Sequence, residues 1–386
     1  MKIAGIIAEY NPFHNGHMHH IRQTREMTGC DGVVVCMSGH FTQRGEAACL
    51  DKWTRARMAL ECGADVVLEL PALWAMRTAD AFAAGGVHIL KNAGCDVLSF
   101  GCETSDAALL EQLSLLRENE NAVFSENLRA NLASGMPHVR AYAAAAEACL
   151  GLEEGTLNRP NLILGVEYLR SIRSEGGMEV CMVPRIGSYH DAAIGEIASA
   201  SAIRAAVAEG RDAAPAVPEC VREKLVQAAA RHDADDLLLW KLRSMTPEML
   251  AEIQDVSEGL ENRILKLAMQ ASGRAALLDT LKCRRYTQAR LSRILTAAML
   301  DMTKAFAALH PLPEYARIIG MRRDASAIVR ELKCRSGLPI ASDPVALKDN
   351  PVFNFECRAT DLWALTRNLP EERRAGREFT EKFVLV

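Results

Sequence analysis

Short apolar runs alternate with helix-period segments through the first half of the chain, and that alternation predicts a parallel α/β sheet. Residues 2–9 read as a strand, His17 to Met27 as a helix and Gly32 to Met37 as a second strand. Asp51 to Cys62 follows as a helix, Asp65 to Leu70 as a strand stopped by Pro71, Thr78 to Asn92 as a helix and Asp96 to Phe100 as a strand. Runs of Val, Ile and Leu without polar alternation are buried on both faces, which implies a doubly wound parallel sheet. From about Asp106 to Leu150 the chain is Ala-rich and helical, broken at Gly135-Met136-Pro137, and reads as an insertion or lid. A helix from about Ile163 to Ser174 then leads to the strand Glu179 to Val183. Past Ser201 strand signals nearly vanish, and apolar spacings of three and four, as in Leu291, Ile294, Leu295 and Met299, predict helices. The expected organisation is an α/β domain over 1–205 with its helical insertion at about 106–150, followed by a mainly α-helical domain over 206–386. The join is expected near Ala214-Pro215-Ala216-Val217-Pro218.

Composition narrows this picture modestly. A chain of 386 residues with 49% hydrophobic content buries a full core and suits two domains. A net charge of −4 excludes a protein that coats nucleic acid over its whole surface, so RNA contact is expected from a local basic patch. The 12 cysteines are scattered singly, with no C-x-x-C pair, and no signal peptide or membrane-length apolar span is evident. A cytoplasmic protein with no membrane contact is expected, and no protein partner is inferred.

The chemistry gathers after the strands. In a parallel sheet the carboxyl ends of all strands share one edge, so segments distant in sequence converge there. After the first strand comes Asn11 to His17, a turn that opens a helix with His14-Asn15-Gly16-His17. Gly16 admits a ligand close to the backbone, and the helix start supplies free amides and a favourable dipole for an anion. Two imidazoles flank it, able to donate hydrogen bonds and to carry positive charge as negative charge develops. After the second strand comes Ser38-Gly39-His40-Phe41-Thr42-Gln43-Arg44-Gly45, after the fourth Gly101, and after the fifth Pro184-Arg185. Ser199-Ala200-Ser201-Ala202-Ile203-Arg204 sets hydroxyls at a helix cap ahead of an arginine suited to β and γ phosphates. The convergence points to a triphosphate site, which Lys52 and Arg55 could also reach from the next helix. No cysteine or carboxylate completes a ligand set around His14, His17, His19 and His20, so no side-chain metal site is expected. In the helical half, Lys282, Arg284, Arg285, Arg290 and Arg293, with Tyr286 among them, combine cations for phosphates with a ring for an unpaired base. An exposed, solvated helix face accounts for the same residues equally well.

The His14-x-Gly16-His17 turn together with Ser199-x-Ser201-x-Ile203-Arg204 resembles the nucleotidyltransferase superfamily, whose Rossmann-like fold agrees with the alternation above. Further segments resemble the bacterial tRNA(Met) cytidine acetate ligase family and span nearly the whole chain. They are Ala8 to His17, Ser38 to Gly45, Pro160-Asn161-Leu162-Ile163-Leu164-Gly165, Glu258-Gly259-Leu260-Glu261-Asn262-Arg263 and Arg285-Tyr286-Thr287. That resemblance implies activation of acetate by ATP to acetyl-adenylate, then transfer to the wobble cytidine of elongator tRNA(Met) as N4-acetylcytidine. It implies ATP contacts from Ile7, Ala8, Glu9, Tyr10, Asn11, Pro12, Phe13, His14, Asn15, Gly16, His17, Met18, His19 and His20, and from Gly101, Asn161 and Arg185. With Ser199 and Ser201 as further phosphate contacts, His14, His17 and Arg204 would carry most of the catalysis by positioning and charge neutralisation. Mg2+ is implied with the ATP, although no carboxylate motif dictates its ligands. Leu162 stands where a second Asn is common and Ser201 where Thr is common; the second change keeps the hydroxyl. A coenzyme adenylyltransferase and a non-catalytic RNA-binding protein on the same fold are the alternatives. An aminoacyl-tRNA synthetase is disfavoured because Ser199 to Arg204 replaces the Lys-Met-Ser-Lys-Ser signature.

Overall fold

The computed structural model describes residues 1–104, 106–118, 121–136, 138–185, 195–229, 234–283 and 285–386. The first apolar runs form strands as expected: β1 (Ile3–Ala8), β2 (Gly32–Ser38), β3 (Val66–Leu70), β4 (Val97–Cys102) and β5 (Glu179–Pro184). Every residue of β2 and β3 is buried, which explains why neither shows polar alternation. β1 lies between β2 and β4, parallel to both, and the chain steps outward from β1 in the two directions β2-β3 and β4-β5. The order therefore reverses beside β1, and a crevice opens there at the carboxyl ends of the strands.

The expectation that strands end near Ser201 is corrected. β6 (Ala316–Met321) lies antiparallel against β3, β7 (Ile340–Ala341) runs parallel to β6, and β8 (Val384–Leu385) also pairs with β6. The second half is otherwise helical, yet it completes the sheet of the first half. The helices Ala107–Glu118, Ala122–Ala133 and His138–Leu150 occupy the predicted insertion. Leu110 and Phe124 are fully buried in the same apolar cluster as the sheet, so the segment packs as part of the core, not as a lid. Pro137, in the turn expected there, lies outside the described residues. Among the described residues no helix is long and apolar enough to cross a membrane.

Beneath the second and third strands sits a knot of buried charge. The Lys52 ammonium bonds Glu69, lies 2.5 Å from Glu378 and 3.5 Å from Glu356, and Arg317 on β6 bonds Glu69 at 3.1 Å and also Glu378. Burial drives the Glu356 carboxyl toward its neutral form, with the Glu69 charge adding to the shift; Lys52 and Arg317 overcome burial at Glu378 and keep it ionised. Two cations thus face three carboxyls, of which Glu356 is pushed toward neutrality and Glu378 toward its ionised form. His40 joins this group, but the ammonium already fills the place between the carboxylates that a metal would take. Arg55, also buried, donates to the carbonyls of Glu9 (2.6 Å), Ser38 (3.1 Å), Leu50 (3.0 Å) and Gly39. Lys52 and Arg55, which the sequence allowed either to reach the phosphates or to form an exposed helix face, do neither: both are fully buried and their acceptors lie inside the fold.

The loop after β2 folds back as a tight hairpin, with Phe41 bridged to Ala47 and the Thr42 amide donating to Glu46 O at 3.0 Å. At its tip Gly45 has φ +69°, and a Cβ there would lie 2.6 Å from the Arg293 Cα. The Gly45 carbonyl accepts from Arg274 (2.8 Å) and Thr296 (2.6 Å), so the tip is locked to the helix Gln288–Leu300. Gly45→Ala is expected to lower unfolding stability by about 2 kcal/mol, from left-handed backbone cost plus the forced gap against that helix. Urea denaturation checks this, and an unchanged midpoint would contradict the docking.

Candidate active site

β1 runs into a turn in which Tyr10 has φ +48°, and the helix Asn15–Thr28 begins after His14, whose φ of −145° is extended. The first helical amides, at Asn15 and Gly16, have no intrahelical acceptor and face outward from the helix start. The His14 amide donates to Nδ1 of His17 at 3.2 Å, which makes Nδ1 an acceptor and places the proton of a neutral ring on Nε2. The two imidazoles stack with centroids 3.6 Å apart and planes 21° from parallel, and Tyr10 lies edge-on to His17 at 4.8 Å. A Cβ on Gly16 would lie 3.0 Å from Cε1 of His14, so the glycine makes room for the ring as well as for a ligand.

Burial depresses the basicity of all three neighbouring imidazoles: His14 falls to about 3 and His20 to about 4, with Arg185 adding to both shifts, and His17 lies well below its usual range. The rings are therefore neutral hydrogen-bond donors at neutral pH. The expected donor role fits this resting state, and positive charge on the rings would have to develop with the negative charge of the reaction. His20 is turned to β4, its Nε2 3.0 Å from Ser99 Oγ, and that hydroxyl is held in turn by Thr24 at 2.7 Å.

Positive charge comes from the opposite wall. Ser199 caps the helix Ala200–Ala208 by accepting from the Ala202 amide, and its hydroxyl lies 3.0 Å from that of Ser201. One turn on, Arg204 donates to the Asn11 carbonyl at 2.7 Å and stands 3.9 Å from the Glu46 carboxylate. Asn15 reaches across to the carbonyls of Glu196 (2.8 Å) and Pro215 (3.0 Å), so the histidine turn and the serine cap are stitched together across 181 residues. Gly101 on β4 and Arg185 beyond β5 close a third side, with Asn161 held there by Glu103 at 2.6 Å. Phe82, Phe100 and Tyr168 supply an apolar wall suited to a purine. The cleft so formed has a volume of about 340 Å³.

Most expected nucleotide contacts meet in this cleft: Ile7, Ala8, Glu9, Tyr10, Asn11, His14, Gly16, His17, His19, His20, Gly101, Asn161, Arg185, Ser199, Ser201 and Arg204. Four do not. Pro12 and Phe13 are buried behind the turn, Asn15 is committed to the two carbonyls above, and Met18 faces solvent. Leu162 is buried in the core, so the hydroxyl-free, amide-free side chain there adds no polar contact to the cleft. Thr42, Gln43 and Arg44 of the segment after the second strand line the cleft, and so does Glu46, which the sequence did not single out. The Gln43 amide donates to Glu9 at 2.6 Å, and burial raises the Glu9 carboxyl above its ordinary range.

The basic segment of the helical half divides. Lys282 and Arg285 are exposed, paired with Asp279 (2.7 Å) and Glu258 (2.5 Å). Arg290 donates to Asp255 O (2.8 Å) and Ser257 Oγ (2.7 Å), and the nearly buried Arg293 pairs with Asp255 at 3.0 Å. Both hold the fold together. Tyr286 is buried under Arg290, so its ring offers no open face to a base. Arg284 lies outside the described residues.

Residues 1–378 match the family model described as HIGH Nucleotidyl Transferase. The chain is similar to the tRNA(Met) cytidine acetate ligase of Clostridium perfringens, 35% identical over 94% of this chain and 95% of that protein. It is likewise 35% identical to the protein of that name from Bacillus subtilis, over 95% of this chain and 92% of that one. Among solved structures it resembles Thermotoga maritima TmcAL bound with alpha-thio ATP, with a TM-score of 0.90 and 29% identity over 100% of both chains. Against the apo form of the same protein the TM-score is 0.92.

Proposed function

Because the chain belongs to the HIGH nucleotidyl transferase family and, within it, to the tRNA(Met) cytidine acetate ligases, we infer that it acetylates tRNA in two ATP-driven steps. In the first, an acetate oxygen attacks the α-phosphorus of ATP, the bond to the β-phosphate oxygen breaks, and pyrophosphate leaves with that electron pair. In the second, N4 of the wobble cytidine in elongator tRNA(Met) attacks the acetyl carbon, AMP departs, and N4 loses a proton.

The observation that carries this reading is the neutral imidazole stack facing Arg204 across the crevice beside β1. Neutral donors do not bind the ground-state polyphosphate as tightly as cations would; they strengthen as charge builds on the α-phosphoryl oxygens. Arg204 and Arg185 neutralise the departing pyrophosphate. Neither step calls for a protein nucleophile. The carboxyls bordering the cleft do not suit a divalent cation, since Glu9 is driven toward its neutral form and Glu46 faces Arg204. Mg2+ would ride on phosphate oxygens and water, and no step is assigned to it. Relatives of one name over the full chain leave the coenzyme adenylyltransferase and non-catalytic alternatives without support. Such an enzyme works where tRNA and reduced thiols are found, in the cytoplasm.

Incubation with ATP, labelled acetate and total tRNA, followed by nucleoside mass spectrometry, tests the reading. Label in acetylcytidine is expected; ATP consumption with no label in any nucleoside would overturn it. On the RNA side, Lys282 and Arg285 are the cations still open to phosphates. Lys282→Glu with Arg285→Glu is expected to weaken tRNA binding about tenfold near 0.1 M salt and to reduce the salt slope by about 2. Binding anisotropy across a salt series measures both, and unchanged slopes would place the RNA elsewhere.

A further inference from the structure

A second cavity, of about 320 Å³, lies on the other side of the hairpin that follows β2. Phe41 and Ala47 of the hairpin form one wall, and the helices Arg274–Leu281, Gln288–Leu300 and Pro351–Ala364 form the rest. Glu46 borders both this cavity and the nucleotide cleft, so a single turn of chain separates them. We propose that this second cavity is the subsite for the acceptor cytosine, an inference that rests on the acetyl-transfer reading above.

Three features support it. The first is contiguity: the amine must reach an acetyl carbon held on the α-phosphate, and the two spaces adjoin at Glu46, which borders both. The second is lining chemistry, since an unpaired base is recognised by flat apolar contact together with hydrogen bonds along one edge. Leu278, Met299 and Leu362 supply the apolar contact. Ser292 and Thr296 are engaged by Arg274, at 2.9 and 2.8 Å, which fixes the back of the cavity. Gln288 at the border makes no hydrogen bond among the described residues. Its carboxamide can donate to the O2 or N3 acceptor of cytosine and leave N4 free. The third feature is the rim, where Asp279 borders the cavity and holds Lys282, placing an exposed cation at its mouth for the adjoining phosphates.

With the base seated there, N4 forms its bond to the acetyl carbon, the bond from that carbon to the adenylate oxygen breaks, and AMP leaves with the electron pair. The test uses the full chain. Ala275 is exposed on the cavity border, so Ala275→Trp fills the space from outside. Acetate-dependent ATP–pyrophosphate exchange is expected within about twofold of the parent, while acetyl transfer to tRNA falls about 100-fold. Gln288→Leu is expected to lower transfer about tenfold with exchange and tRNA retention kept. Should Ala275→Trp lose exchange as well, it has misfolded and Gln288→Leu decides. Parental transfer in the folded variants would overturn the subsite, whereas a parent that forms neither adenylate nor acetylcytidine would overturn the ligase reading instead.

Discussion

Replacing His17 by alanine is expected to lower acetate-dependent ATP–pyrophosphate exchange about a thousandfold, a loss of about 4 kcal/mol of transition-state stabilisation. The size follows from the tautomer. With Nδ1 occupied by the His14 amide, the proton of the neutral ring sits on Nε2, and that ring lines the cleft. Alanine removes this donor and also leaves the His14 ring without its stacking partner 3.6 Å away. The fold should survive, because His17 is only half-buried and its lost hydrogen bond is worth about 1 kcal/mol. His17→Gln, which keeps an N–H donor at similar reach, should recover part of the exchange. Exchange at the parental rate in the alanine variant, with a normal unfolding transition, would remove His17 from the mechanism.

Lys52→Met is expected to act on stability instead, lowering it by about 3–5 kcal/mol. The ammonium is completely buried between Glu69, Glu378 and Glu356, and removing it leaves Arg317 as the one cation, among the described residues, facing the charges of this buried carboxyl group. Adding Glu378→Gln to the same chain should restore part of the loss, because one of those charges is removed. Chemical denaturation measures both. A Lys52→Met protein of unchanged stability that has lost exchange would return this lysine to the phosphates, where the sequence alone first suggested it.

The two lysine readings show where sequence reasoning ends. β1 to β4 were legible because a strand buried on both faces writes itself as a continuous apolar run, and the edge strand β5 through its short Val180-Cys181-Met182-Val183 run. β6 was not, since its Ala316-Arg317-Ile318-Ile319-Gly320-Met321 run carries a cation in second position amid helices. That arginine is tolerated only because Glu69 and Glu378, 248 and 61 residues away, come to meet it. The histidine turn and the serine cap were readable as motifs, while the neutral state of the rings was not, as it depends on burial by Tyr10 and Phe13. Likewise the charges of Arg290 and Arg293 looked available until their acceptors in the 255–257 loop were seen.

The pairing of β8 with β6, and of Glu378 with Lys52, has a consequence for how the molecule comes into being. A ribosome that has delivered every motif of the nucleotide pocket, the last at Arg204, has not yet made Glu378, one of the carboxylates around the lysine at the start of the second crossover. The buried ion cluster therefore closes only after Glu378 has been translated, and a nascent chain that stops short of it would set Lys52 and Arg317 against Glu69 and Glu356 alone.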